Sequence, residues 1–299
     1  MDVSMFHVFR QGPVLATLAR VACASITRNF LPTKGSIPAI PGPEYSSIVS
    51  PRSSYLIRDY IIHVGGDPSN YRGILPPHFF PQWGVPLLAQ TIHSFPYDVS
   101  HILNAGAKFI VKKQLPANEP LKLRARLIDL DDNGRRVVFH QQLITETDSA
   151  PEALISEVKA ILPLISGKQV SGPKKEKPRI HENAQEIGQI LLKANDGLNF
   201  AKLTGDFNPV HWVKQYARLS GFPSIFLHGF SSMARVAEIL IKNRLSGRVD
   251  YLQSLDVRFV RPLILPNAVS VFMYKDEIWL GHTQGGVAYL SGRFSLNDS

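Results

Sequence analysis

The residues of this chain that could do chemistry are concentrated in one short run, Gly205 to His211, which reads Gly-Asp-Phe-Asn-Pro-Val-His. A carboxylate (Asp206) and an imidazole (His211) this close in sequence can converge on one water molecule, which is a general acid/base arrangement. We therefore expect an enzyme in which Asp206 and His211 are catalytic residues.

The same run carries the signals of a helix start. Asn208 is a preferred N-cap residue and Pro209 suits the first helical position, so the sequence predicts a helix over 209–219 that stops at Ser220-Gly221. His211 then lies in the first turn. There the helix dipole disfavours imidazolium and leaves the ring able to accept a proton.

A second polar pair, His228-Gly229, opens the next predicted helix. Apolar residues follow it at helical spacing, which predicts a buried helix; they are Phe230, Met233, Val236, Ala237, Leu240 and Ile241. The first N–H groups of a helix have no partner within it, and glycine lets a ligand approach the backbone closely. The Gly229 N–H is therefore a candidate oxyanion donor, with His228 and Phe230 beside it as candidate substrate-positioning residues.

Each of these features also occurs without any chemistry. An Asp-x-Asn-Pro segment is often only a turn and a cap, and a histidine in a first helical turn is often only a satisfied polar residue. The combination of fixed residue types at fixed offsets is what favours an active site over those structural interpretations.

The pattern Gly-Asp-x-Asn-Pro-x-His, with His-Gly beginning 22 residues after the aspartate, resembles the MaoC-like hydratases and dehydratases, which include the R-specific 2-enoyl-CoA hydratases. The resemblance implies an α+β hot dog fold, in which a curled antiparallel sheet wraps a long helix. It also implies that Asp206 and His211 activate the water that adds to C3 of a trans-2-enoyl thioester and return a proton to C2. Gly229 would hold the thioester oxygen and Asn208 would brace the loop.

By the same resemblance, the substrate is a thioester of coenzyme A or of an acyl carrier protein, the product is an (R)-3-hydroxyacyl thioester, and no metal or other cofactor takes part. Two positions depart from the family, since Val213 stands where many members have Asp and Ala237 where they often have Ser. A non-catalytic acyl-thioester binding or scaffold protein and a hot dog thioesterase therefore stay open. The intact Asp206, His211 and Gly229 favour catalysis, because a binding module has no chemical need for the pair.

An internal repeat with an offset of 150 residues predicts a tandem, or double, hot dog. Phe109–Pro116 matches Phe259–Pro266, and His78 and Phe80 match His228 and Phe230. The predicted organisation is an N-terminal extension over 1–50, a degenerate first repeat over 51–166, a basic linker over 167–180 and a catalytic repeat over 181–299.

Each half is predicted to have one long apolar helix followed by strands. The helices are expected over 85–103 and 230–245. The strands are expected over 108–115, 121–129, 136–145 and 154–165 in the first half and over 251–261, 269–274 and 287–294 in the second, with a turn at Asp132-Asn133-Gly134.

The first repeat is predicted to be inactive. It keeps Gly66-Asp67 but lacks the Asn-Pro-x-His sequence, and it has Phe79 where the second repeat has Gly229. Such halves would cover each other's sheet edges as a pseudo-dimer within one chain, and a homodimer of such chains stays open. An aromatic cluster beside a helix is usually packing, so Phe79, Phe80, Trp83 and Pro86 are expected in the core.

Composition is consistent with such an enzyme. The 299 residues have a net charge of +9, which suits an anionic substrate such as coenzyme A; without a nucleic-acid motif we expect no nucleic-acid partner. The linker lysines could meet the phosphates of such a ligand, although charge runs are usually only solvated. The single Cys23 suits a reducing compartment. No apolar run of about 20 residues occurs, so no membrane insertion is expected.

The first 50 residues predict no fold of their own. Arg10, Arg20 and Arg28 fall in a stretch without acidic residues between Asp2 and Glu44. That composition is typical of an organellar transit peptide and also of a basic amphipathic helix. A plain extension and a cytoplasmic location are the default expectation, with a mitochondrial location as the alternative.

Overall fold

The structure is a computed structural model that describes residues 2–9, 39–93, 95, 97, 102–164 and 176–297. Its helices are α1 (Phe6–Phe9), α2 (Ser54–His63), α3 (Pro81–Thr91), α4 (Asp196–Thr204), α5 (Lys214–Leu219) and α6 (Gly229–Arg244). Its strands are β1 (Tyr45–Val49), β2 (Leu103–Val111), β3 (Leu121–Asp132), β4 (Arg136–Glu146), β5 (Leu154–Pro163), β6 (Gln185–Leu192), β7 (Leu252–Phe259), β8 (Asn267–Tyr274), β9 (Glu277–Gly281) and β10 (Leu290–Leu296).

All ten strands form one antiparallel sheet in the order β1-β3-β4-β5-β2-β7-β10-β9-β8-β6. Side chains alternate between the two faces of a strand, and in β4 every second residue is buried. The strands of the first half and those of the second meet where β2 pairs with β7, from Gly106 opposite Arg258 to Ile110 opposite Ser254. Neither half therefore has a free edge at this junction.

Helix α6 is the longest of the described helices, and its apolar residues belong to a core cluster shared with the first half. Ala237 and Leu240 are fully buried in that cluster, together with Phe79 and Leu123 from the first half. Phe80 and Phe230, which the internal repeat pairs, meet edge to face with ring centroids 5.5 Å apart. Phe79, Phe80 and Trp83 are core residues as predicted, while Pro86 is only partly buried.

The predicted α+β fold is confirmed, and most predicted elements are present with shifted ends. Helix α6 lies within one residue of the prediction at each end, and the turn after Asp132 places Gly134 at φ +73°. The first-half helix was placed wrongly, since α3 spans Pro81–Thr91 and residues 103–111 are strand β2. Leu103 is paired with Ile161 of β5, so pairing in the sheet overrides the helical spacing there.

Two predicted boundaries also change. Strand β1 pairs with β3, so the last part of the predicted extension belongs to the sheet. Ile180, at the end of the predicted linker, is buried against the second half. The rest of that linker up to residue 175, and the stretch 10–38 with Cys23 and the three arginines, lie outside the described residues. Among the helices that the structure describes, none is long and apolar enough to cross a membrane.

The β2–β7 junction depends on a glycine. A Cβ placed on Gly106 would lie 2.6 Å from the main-chain oxygen of Val257, so Gly106→Ala should push the two strands apart. We expect the free energy of unfolding, measured by urea denaturation, to fall by about 1–3 kcal/mol. Gly42→Ala is the matched control, because the nearest atom to its added Cβ is 3.5 Å away, at ordinary contact distance. Equal stabilities for the two variants would show that the junction is not tightly packed.

Candidate active site

Gly205, whose backbone has a left-handed conformation, places Asp206 at the site. Helix α4 ends at Thr204, and Gly205 caps it with φ +83°, its N–H bonded to the main-chain oxygen of Ala201. This conformation is unfavourable for residues with a Cβ, so glycine allows the chain to leave the helix sharply. Asp206 follows at once, and its side chain is 29% exposed. The carboxylate therefore remains accessible to water at the end of a rigid helix.

His211 lies on a short turn rather than in the predicted helix over 209–219. Residues Pro209–His211 form a 3₁₀ turn, and the Asn208 side chain caps it by accepting a hydrogen bond from the Val210 N–H at 3.3 Å. Val213 is extended, and the α-helix begins only at Lys214. The turn is pressed against α4, where a Cβ on Gly197 would collide with the His211 main-chain oxygen. This packing interrupts the helix, so the predicted helix dipole does not act on the ring.

Hydrogen bonding fixes the His211 ring with one nitrogen free. Its Nδ1 lies 2.8 Å from the main-chain oxygen of Phe226. A carbonyl oxygen only accepts, so Nδ1 carries the proton and Nε2 keeps its lone pair. Burial lowers the pKa of His211 below its ordinary value, and the nearby Asp206 carboxylate offsets part of that shift. The ring is thus a neutral proton acceptor, for a reason other than the predicted dipole.

His228 packs directly against His211 and holds the Asp206 main chain. The two imidazole rings stack with centroids 3.6 Å apart, and His228 Nε2 donates a hydrogen bond to the Asp206 main-chain oxygen at 3.0 Å. Burial, followed by the proximity of His211, keeps the pKa of His228 well below its ordinary value. Among the described residues, His228 Nδ1 has no hydrogen-bond partner. His228 is therefore buried and holds the loop that carries Asp206, and it does not line an open surface.

The structure brings Asp206, His211 and His228 together, with donor atoms that all lie within 4.8 Å of one another. Two imidazoles and a carboxylate are also ligand types for transition metals. However, each ring already donates one N–H to a carbonyl, and the remaining lone pair of His228 is on its buried Nδ1. Only the Asp206 carboxylate and His211 Nε2 can face a common ligand without a ring flip. This geometry suits a shared water better than a metal with three or four protein ligands.

Gly229 begins α6, so its N–H has no partner within the helix. The space in front of its Cα is not open, because an added Cβ would lie 2.7 Å from the Phe259 ring. The glycine is thus required by the packing of Phe259 and not by free room for a ligand. Phe230 is 7% exposed and meets the rings of Phe80 and Phe259 edge to face, which makes it a core contact between the halves.

Several residues that complete the site were not predicted from the sequence. Phe226 contributes a main-chain oxygen, Gly197 admits the His211 turn, and Phe200 lies against His228 with ring centroids 4.9 Å apart. Of these three residues, only Gly197 could have been noticed in the sequence, because a glycine inside a helix often marks the close approach of another backbone.

The corresponding residues of the first half are arranged differently. Asp67 caps the 3₁₀ turn Pro68–Tyr71 by accepting from the Ser69 N–H at 2.8 Å. His78 is fully buried and bonded to Tyr60 and Glu238. Asp67 and His78 thus have different partners, and the inactivity of this half stays a prediction.

Part of the chain is similar to a known protein family. Residues 173–287 match the family described as MaoC like domain. Enoyl-CoA hydratase 2, peroxisomal, of Arabidopsis thaliana is 22% identical over 205 residues, which cover 62% of this chain and 62% of that protein. The chain therefore spans less than two thirds of that relative's length.

Solved structures share the fold at low identity. The crystal structure of HtdX of Mycobacterium tuberculosis superposes with a TM-score of 0.68 at 15% identity, covering 84% of this chain and 99% of that one. A second Mycobacterium tuberculosis protein, described as having a double hotdog fold, gives a TM-score of 0.57 at 12% identity, covering 86% and 96%. The chain thus has the double hot dog fold, and residues 173–287 within it are similar to the MaoC like domain.

Proposed function

We propose that this protein is a hydro-lyase that catalyses the reversible hydration of trans-2-enoyl thioesters to (R)-3-hydroxyacyl thioesters in fatty acid metabolism. One observation carries the proposal: the Asp206 carboxylate lies close to the ring of His211, whose Nδ1 is bonded to Phe226 and whose Nε2 keeps its lone pair, beside the start of α6. The name of the Arabidopsis thaliana relative, an enoyl-CoA hydratase, supports it.

In the proposed reaction, the Asp206 carboxylate and His211 Nε2 hold one water between them. As the water oxygen bonds to C3, the pair takes up one of its protons and the C2–C3 π electrons move towards the thioester carbonyl. The Gly229 N–H stabilises the enolate oxygen that forms. Return of a proton to C2 restores the carbonyl and leaves a hydroxyl on C3, so H and OH add overall and the pair regains its starting state.

Asn208 and His228 hold the Asp206–His211 pair in place but take no part in the proton transfer. Asn208 caps the turn and its main-chain N–H lies 3.4 Å from Asp206 Oδ1. His228 holds the Asp206 carbonyl. These contacts fix the carboxylate relative to the imidazole before substrate binds, which is how enzymes reduce the reorganisation that a reaction requires.

The proposal extends to the carrier, the assembly and the location. The net charge of +9 suits the phosphates of coenzyme A or an acidic acyl carrier protein. Pairing of β2 with β7 supports a pseudo-dimer of two hot dog halves within one chain, the first half being the non-catalytic one. The cytoplasm stays the expected location, with mitochondria as the alternative.

Asp206→Asn and His211→Gln should each lower turnover of crotonyl-CoA by about two to four orders of magnitude, the usual contribution of a positioned acid/base group. Hydration is followed as the loss of the conjugated enoyl absorbance, and circular dichroism checks folding. Near wild-type turnover by either folded variant would remove that residue from the proposed pair.

Asp67→Asn is the matched control for Asp206→Asn. Both aspartates accept a main-chain N–H from the second residue after them, Ser69 and Asn208 respectively, and an asparagine side chain can keep that bond. The control should change turnover by less than about tenfold, since Asp67 is bonded to Ser69 and none of the described histidines contributes to its electrostatic surroundings. A loss as large as that of Asp206→Asn would show that the first half contributes catalytic groups.

The neutral state of His211 also predicts the pH profile. Burial lowers the pKa of this ring below the ordinary value of 6.5, and only the unprotonated ring accepts a proton from water. The kcat/KM for crotonyl-CoA should therefore stay level as the pH falls towards about 6.5 and decline only below it. An acid limb that began above pH 7 would show that His211 is charged at neutral pH.

A further inference from the structure

Helix α6 carries a buried polar stripe that the proposed reaction does not use. Ser231, Arg235 and Glu238 are spaced four and three residues apart, so they lie on one face of the helix, and they are 0%, 7% and 1% exposed. Charged residues are rarely this buried unless they are paired. Their partners lie on α2, on α4 and on turns of the first half.

Glu238 reaches into a cluster of first-half side chains. Its Oε1 accepts from the Tyr71 hydroxyl at 2.9 Å and lies 3.0 Å from His78 Nε2. The other ring nitrogen of His78 lies 3.0 Å from the Tyr60 hydroxyl, which itself donates to the His78 main-chain oxygen at 2.9 Å. Tyr60, Tyr71, His78 and Glu238 are all at most 5% exposed, and we call them the Glu238 cluster.

The cluster occupies the place in the first half that corresponds to the candidate active site. In each half a glycine with positive φ follows a helix: Gly65, at +91°, comes one residue after the Val64 cap of α2, and Gly205, at +83°, is itself the cap of α4. One residue later the second half has Asp206, whereas the first half has Gly66. Counting from these glycines corrects the sequence comparison, which had paired Asp206 with Asp67.

The other members of the site follow the same correspondence. Six residues after the glycine, a 3₁₀ turn ends on His211 in one half and on Tyr71 in the other. His78 corresponds to His228 through the repeat. Tyr71 Oη lies 3.3 Å from His78 Nε2 and the two rings meet edge to face, whereas the rings of His211 and His228 stack. The first half therefore keeps the histidine, but it has Tyr71 in place of His211 and no carboxylate at residue 66.

Glu238 fills the position of that missing carboxylate. A Cβ placed on Gly66 would lie 2.5 Å from both Glu238 carboxylate oxygens, so the group stands where a short acidic side chain at residue 66 would put its own. Gly66 does not have a left-handed φ, so its backbone admits other residues. It is Glu238, and not the backbone, that leaves no room for a side chain there.

We propose that Glu238 supplies from α6 the carboxylate that the first half lacks, and that the rebuilt, buried cluster clamps α6 and thereby positions the Gly229 N–H. The positioning role rests on the proposed function. Gly229 lies nine residues before Glu238, or about 14 Å along the same helix, and a second clamp lies between them. There, Arg235 lies 3.3 Å from Asp196 and 3.4 Å from His63 Nε2. Glu238 is thus a positioning residue, not a catalytic one.

Variants that move the carboxylate from Glu238 to residue 66 test whether the Glu238 cluster holds α6 in place. Glu238→Ala should lower the Tm by several degrees, because His78 and Tyr71 lose their buried partner. Gly66→Asp should also lower the Tm, because the new carboxylate collides with Glu238. The double variant Gly66→Asp/Glu238→Ala should recover at least half of the summed loss, since one carboxylate again faces His78.

Leu240→Ala provides the matched control. Leu240 is fully buried on the same helix, so its truncation loses stability by leaving a cavity. Adding Gly66→Asp to Leu240→Ala should lower the Tm further instead of restoring it. Glu238→Gln keeps the shape and one hydrogen-bonding oxygen, so it should lose less stability than Glu238→Ala and serves as the test if the alanine variant does not fold.

Kinetics on crotonyl-CoA test the positioning. Glu238→Ala should lower kcat about tenfold or more while KM stays within about threefold, and the double variant should regain most of that kcat. If the Tm losses of Gly66→Asp and Glu238→Ala are additive in the double variant, the proposed clamp is wrong. If folded Glu238→Ala keeps the wild-type kcat, the proposed positioning of the Gly229 N–H is wrong. If the wild-type protein does not hydrate crotonyl-CoA, the proposed function fails, but the Tm comparison still decides whether Glu238 replaces the missing carboxylate.

Discussion

The placement of α6 is the constraint on which both the core and the candidate site depend. Its apolar residues fill the cluster shared by the two halves, and its polar stripe ends in first-half side chains. Its first residue packs against Phe259 with no room for a Cβ. A shift of α6 would disrupt the apolar core, the polar contacts with the first half and the packing of Gly229 against Phe259. The N–H groups at its start therefore have a defined direction before any substrate binds, which is what stabilisation of a developing oxyanion requires.

The second constraint is that both histidines of the site must stay neutral. Two imidazolium rings could not stack with centroids 3.6 Å apart in a buried place without a large electrostatic cost. Each ring instead gives one N–H to a carbonyl, His211 to Phe226 and His228 to Asp206. The same bonds that fix the rings also fix their tautomers, and they leave His211 Nε2 as the nitrogen that can share a ligand with Asp206.

Much of the fold and the central pair could be predicted from the sequence because they depend on local patterns. The spacing of apolar residues located α6 and most strands, and the run around Asp206 identified the residues that converge. The helix expected over 209–219 failed because its interruption depends on Gly197, a residue of another helix. Strands β1, β6 and β9 were not predicted, since their formation depends on neighbours in the sheet.

The role of Glu238 lay beyond sequence patterns for the same reason. It occupies an ordinary position in a helical run, and only the folded chain places its carboxylate beside Gly66 and His78. Counting residues also mispaired Asp67 with Asp206, because the equivalent positions become clear only from the two left-handed glycines. Because Glu238 and the residues that it contacts belong to different halves, no pattern within one half of the sequence reveals this role.

Product analysis of the wild-type protein with crotonyl-CoA tests the central claim most directly. Enoyl absorbance, free thiol and the configuration of the product are measured in the same reaction. We expect loss of the conjugated absorbance without release of thiol, and (R)-3-hydroxybutyryl-CoA as the product. Release of free coenzyme A at the rate of substrate loss would indicate a thioesterase, and binding of crotonyl-CoA with no change of absorbance would indicate an acyl-thioester binding protein; either result would contradict the account.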